Sequence, residues 1–87
     1  MRKRLVVSGR VQGVFFRDTV RSAAEREGVA GWVRNNRDGT VEAVFEGVPE
    51  AVERVVAAAF EGPPGARVEG VEVYDEPEEG IESFRVR

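Results

Sequence analysis

The chain contains no cysteine and no histidine. The first absence excludes disulfides and leaves the redox compartment unread. Together the two exclude a thiolate or phosphohistidine intermediate and a histidine-based triad. They also exclude zinc or copper held by thiolate or imidazole, so only oxygen ligands remain for a metal. Amides are scarce: Gln12, Asn35 and Asn36 are the only three. Lysine occurs once, at Lys3, against twelve arginines. Few amides and no cysteine suit a thermophile, and a biased genome composition explains them equally well. No apolar run approaches the length of a membrane span, and there is no internal repeat or low-complexity tract.

What is present is 87 residues, 41% hydrophobic and 33% charged. That balance predicts one small soluble domain over residues 1–87. Leu5–Val7, after the basic Met1–Arg4, is far too short for a signal peptide, and the expected location is the cytoplasm. Charge is uneven: residues 1–40 carry +5 and residues 41–87 carry −8. A positive half suits an anion. Two solvated faces of one small domain explain it as well, and charge alone favours that plainer account.

Lys3–Ser8 is a β-branched run and reads as a first strand. Gly9–Gly13 is a loop. From Phe15 or Phe16 the spacing of Phe16, Val20, Ala23 and Ala24 predicts a helix that Gly28 ends. Val29–Asn35 reads as a second strand and NNRDGT as a hairpin turn. Thr40–Glu46 alternates, with Val41, Ala43 and Phe45 on one face and Thr40, Glu42 and Glu46 on the other. Pro49 opens a second helix whose buried stripe is Val52, Val55, Val56, Ala59 and Phe60. Gly62–Gly65 stops it. Val68–Tyr74 is a fourth strand, Asp75–Gly80 an exposed acidic loop, and Ile81–Arg87 a last strand. This is the split βαβ order, βαββαβ plus a short fifth strand. It predicts an α+β, ferredoxin-like two-layer sandwich, with an antiparallel sheet and both helices on one face.

Arg17 breaks a local rule. A cation in the first turn of a helix opposes the positive end of its dipole. The preceding loop offers a reason. Glycine-permitted backbone N–H groups and a helix N-terminus form an anion nest, and the guanidinium fork would clamp the same anion. A tight strand-to-helix connection with a solvated arginine is the plainer account, and a bare Gly-x-x-x-Gly pattern does not exclude it. Phe15 and Phe16 read more readily as core than as site, and Asp18 as a complement to the helix N-terminus. An acyl phosphate suits a chain without a nucleophile, because its leaving group is a carboxylate, the conjugate base of an acid of pKa about 4. Phosphoryl transfer then depends mainly on positioning and charge stabilisation. An asparagine amide can both donate to and accept from a water. Asn35, ending the second strand, is the candidate, with ordinary turn chemistry as its plainer reading.

GRVQGVFFR (Gly9–Arg17) followed by GWVRNNRDGTVE (Gly31–Glu42) resembles the paired signatures of the acylphosphatase family, at matching spacing and element order. The resemblance covers nearly the whole chain. It implies hydrolysis of a small-molecule acyl phosphate, with inorganic phosphate as product. It implies a phosphate cradle of Gly9, Arg10, Val11, Gln12, Gly13 and Val14, with Arg17 on the phosphoryl oxygens and Asn35 orienting the attacking water. It implies no cofactor, no metal and no phosphoenzyme, and a last strand near the site. Family members often have threonine where this chain has Asn36. No nucleic-acid or membrane partner is expected, and the expected state is a monomer. The alternatives are an RNA-binding module of the same order, which the acidic third strand disfavours, and a phosphate-binding domain without turnover, which retention of Arg17 and Asn35 disfavours. Nothing in the sequence encodes a pocket for the acyl group.

Overall fold

The computed structural model describes every residue from Met1 to Arg87. Its elements are β1 (Arg2–Arg10), α1 (Phe16–Glu27), β2 (Ala30–Asn35), β3 (Val41–Glu46), α2 (Pro49–Glu61), β4 (Arg67–Asp75) and β5 (Phe84–Val86). The strands form one sheet in the order β4-β1-β3-β2-β5. Leu5, Val7, Val33, Val41, Ala43 and Phe45 point from the sheet into a core shared with Phe16, Val20, Val52 and Val55 of the helices. This is the predicted ferredoxin-like α+β sandwich.

The first strand outruns its predicted end. A bulge between Ser8 and Gly9 lets β1 keep pairing with β4 as far as Arg10. Gly9 sits at φ 118, and a Cβ there would lie 2.1 Å from the Arg67 carbonyl oxygen. Only glycine permits that approach. Gly9 and Arg10 therefore belong to the strand, and the loop proper begins at Val11.

The sheet is not wholly antiparallel. β5 pairs parallel with β2, while the other pairings are antiparallel. β4 ends beside the start of β1 at one edge of the sheet. Residues 76–83 then cross the end of the sheet and enter β5 from the side where β2 begins, which makes that pairing parallel. Arg2 and Glu46 pin the crossing. Arg2 Nη1 donates to Glu46 Oε1 at 3.1 Å, and its Nε to Glu76 Oε1 at 3.2 Å. The backbone N–H groups of Glu79 and Gly80 donate to the Glu46 carboxylate at 3.0 and 2.8 Å. Glu46 is thus only 6% exposed, and the acidic loop is held rather than free. Pairing at the far edge lasts only from Phe84 to Val86, shorter than the predicted run.

Phe60 was expected in the core and is instead 49% exposed. The buried face of α2 turns toward Ala51, which carries Phe60 round to the rim.

The sheet face away from the helices has no second backbone layer, yet Val44 on it is fully buried. Its register neighbours are Arg4 and Trp32. The guanidinium groups of Arg34 and Arg87 lie 5.0 and 4.8 Å from the Trp32 ring centre. Arg4 lies 4.4 Å from that of Tyr74 while bonding Glu42 and Glu76. These guanidinium groups, held on rings and carboxylates, lie over the apolar residues of this face.

Candidate functional site

The loop between β1 and α1 is anchored at its start, where Val11 packs into the core at 1% exposure. It then turns through two left-handed residues, Gly13 at φ 73 and Phe15 at φ 63. A Cβ on Gly13 would meet no atom within 4 Å, so the backbone there faces open space. Phe15 occupies the N-cap of α1 but offers no capping side chain. The first helical bond is from the Thr19 N–H to the Phe15 carbonyl at 3.0 Å. None of the backbone N–H groups from Gln12 through Asp18 donates to an acceptor within the chain. Alternating right- and left-handed residues that aim N–H groups outward make a concave anion nest, and the helix N-terminus adds a positive field.

Arg17, the second residue of α1, is half-buried and has no acidic partner. Its neighbour Asp18 pairs instead with Arg21 at 3.5 Å. Asn35 ends β2, and its Oδ1 is buried with no hydrogen-bond partner. A buried polar atom left alone is uncommon. Arg17, Asn35 and Gly13 line one cavity of about 360 Å³ together with Phe15, Asp18 and Val86.

Val11, also predicted, lines the cavity with them. The remaining predicted residues sit elsewhere. Gly9, Arg10, Gln12 and Val14 do not line the cavity. Gly9 shapes the bulge, Arg10 is exposed on the strand, and Val14 packs partly against the core. Gln12 holds two chain segments together. Its Nε2 donates to the carbonyl oxygens of Asn36 at 2.7 Å and Thr40 at 2.9 Å. The loop is thereby fastened to the turn that follows Asn35.

Asn36 is fully occupied by that turn. Its Nδ2 donates to Thr40 Oγ1 and Glu42 Oε1, and its Oδ1 accepts from Arg34 Nε. Asp38 accepts from the Thr40 hydroxyl and N–H, which lowers its carboxyl below the usual range. Burial pushes the Glu42 carboxyl up. Hydrogen bonds from Arg34 and Asn36, with the charges of Arg34 and Arg4, outweigh burial and hold it low. The two adjacent asparagines are thus separated by role: one is free in the cavity and the other is consumed by the hairpin.

Sequence reasoning missed Phe15 as a cavity residue and Gln12 as a tie between segments. The first depends on a backbone angle that no spacing reveals. The second was hinted at by the rarity of amides, since all three meet at this end of the sheet. Asp18 lines the cavity as well as starting the helix. No cluster of three or more histidine, cysteine, aspartate or glutamate side chains is placed to hold a metal ion.

Residues 3–86 match the acylphosphatase family profile. The chain belongs to the acylphosphatase family. It is 63% identical over 87 residues to an acylphosphatase of Rubrobacter xylanophilus, covering 99% of this chain and 79% of that one. It is 55% identical to an acylphosphatase of Thermococcus kodakarensis, covering 99% and 94%. The crystal structure of acylphosphatase from Bacillus subtilis is similar at a TM-score of 0.94 and 38% identity, with 99% and 97% of the two chains covered. As an acylphosphatase, the chain is a hydrolase that acts on small-molecule acyl phosphates. No helix is long and apolar enough to cross a membrane.

Proposed function

We propose that this acylphosphatase cleaves its substrate by direct attack of water on phosphorus, in the cavity between the β1–α1 loop and the end of β2. The loop N–H groups from Gln12 to Asp18 and the fork of Arg17 receive the phosphoryl oxygens. Asn35 accepts a hydrogen bond from the attacking water through Oδ1 and holds it in line with the bond to be broken. The water oxygen bonds to phosphorus, and the bond from phosphorus to the acyl oxygen breaks. Its electron pair leaves on the carboxylate. Inorganic phosphate and the proton released by water complete the products. A loose transition state demands little of a base before transfer, and donors fixed in advance stabilise its charge without rearranging. The reading calls on no metal, cofactor, nucleic acid or membrane, and takes the enzyme as a cytoplasmic monomer.

One observation carries this reading. A half-buried arginine without an acidic partner and an asparagine with an unpartnered buried oxygen share one cavity beside unpaired backbone donors. The test is steady-state hydrolysis of benzoyl phosphate in EDTA, with inorganic phosphate as inhibitor. Arg17→Lys keeps the charge but loses the fork, so phosphate inhibition should weaken and kcat should fall. Asn35→Ala should leave phosphate inhibition nearly unchanged and lower kcat by about 10²-fold or more. Equal loss of phosphate affinity in both variants would assign Asn35 to binding. Loss of turnover in EDTA, restored by Mg²⁺, would reject the metal-free mechanism.

A further inference from the structure

Two independent preferences are violated at Phe15. It is the chain's non-glycine residue with positive φ, at 63°, a region that bulky side chains avoid. Its ring is also 79% exposed, more than any other large hydrophobic side chain here. Neither feature helps folding. The adjacent Phe16 supplies the core contact, at 2% exposure, so Phe15 is not needed to anchor the helix. What the strained backbone does achieve is to turn an aromatic ring outward beside the cavity that holds Arg17 and Asn35. Val86, itself 39% exposed, lines the same cavity from β5. Strain of this sort collects where a ligand is met.

We infer that Phe15 and Val86 form an apolar lip that holds the acyl group, and that the substrates served best are acyl phosphates with apolar, above all aromatic, acyl groups. This rests on the phosphate site proposed above. With phosphate in the nest and water held at Asn35, the leaving carboxylate departs opposite the water, so contact with the acyl group must come from other residues. Phe15 and Val86 are the exposed apolar side chains of this cavity. An aromatic acyl group can stack on the Phe15 ring, whereas an acetyl group offers it one methyl.

The experiment compares kcat/KM for benzoyl phosphate and acetyl phosphate, together with inhibition by inorganic phosphate, in Phe15→Asn and Val86→Ala. Asparagine tolerates the left-handed region, so the loop keeps its path while the ring is lost. The benzoyl-over-acetyl ratio should fall about tenfold in Phe15→Asn and about twofold to threefold in Val86→Ala. The melting temperature of Phe15→Asn should not fall. An unchanged ratio with phosphate inhibition intact would overturn the lip and leave the phosphate site standing. Equal losses for both substrates, accompanied by weaker phosphate inhibition, would overturn it by assigning Phe15 to the backbone cradle alone. Phosphate inhibition indifferent to Arg17→Lys would remove the phosphate site and the lip with it.

Discussion

Gln12→Met asks how firmly the phosphate loop must be tied. Methionine matches glutamine in length but cannot donate. The variant loses the bonds from Nε2 to the Asn36 and Thr40 carbonyls, at 2.7 and 2.9 Å. Each such bond contributes about 0.5–1.5 kcal/mol. Neither carbonyl is orphaned, because Asn36 O still accepts from the Gly39 N–H at 3.2 Å and Thr40 O from the Asn36 N–H at 2.8 Å. The loss should therefore lie toward the low end, about 1–2 kcal/mol in all. For a domain of this size, 1 kcal/mol moves the melting temperature by about 4–8 °C, so a fall of roughly 5–15 °C is expected. Gln12→Glu should be worse near neutral pH, since a carboxylate would face two carbonyl oxygens. Activity should suffer beyond stability. The tie sets the distance between the loop and Asn35, and misplacement by about 1 Å can cost about 10²-fold. Thermal melts, with steady-state kinetics run well below the melting point, separate the two effects. A Gln12→Met variant that melts with the parent and turns over at the parental rate would refute the reasoning.

Asn36→Ala removes bonds to Thr40, Glu42 and Arg34; it should cost about 1 kcal/mol and spare kcat, whereas a kinetic loss matching Asn35→Ala would put Asn36 in the reaction. The carboxyls of Glu46, Glu42 and Asp38 are held low in the folded state, Glu46 chiefly by the Glu79 N–H and then by Arg2 and the Gly80 N–H. Their stabilisation is present above the unfolded carboxylate pKa of about 4 and disappears as pH falls through the depressed values. Melting temperature should accordingly hold from about pH 7 to 5 and drop below about pH 4. Glu46→Gln should melt lower at neutral pH and fall less steeply in acid; a wild-type melting point that rises on acidification would contradict this.

The element order and both helices were legible because alternation and helical spacing are local signals. Arg17 and Asn35 were legible as residues out of keeping with their surroundings, and the structure brings them to one cavity. The parallel β5 was not legible, because its direction depends on where residues 76–83 cross the sheet. That crossing is set by Arg2 and Glu46, which lie far from it in sequence. The burial of Glu46 was not legible for the same reason: alternation assigns a face of the sheet, but not what later lies across it. Phe60 failed because the helical stripe fits two slightly rotated faces, and only the packed sheet chooses between them. Phe15 failed because a left-handed non-glycine residue has no signature in spacing.

The arginine-covered face of the sheet gives the scarcity of lysine a structural meaning at several positions. Arg4 and Arg34 each meet an aromatic ring and a carboxylate at once, which the planar fork of a guanidinium suits better than a compact, strongly hydrated ammonium does. That cover is made of ion pairs and ring stacking rather than of a second hydrophobic layer. Charged groups lose hydration free energy on heating, so drawing them together costs less when hot. The cover over Val44 should thus grip more firmly as temperature rises, over a range where a purely apolar layer would gain nothing further.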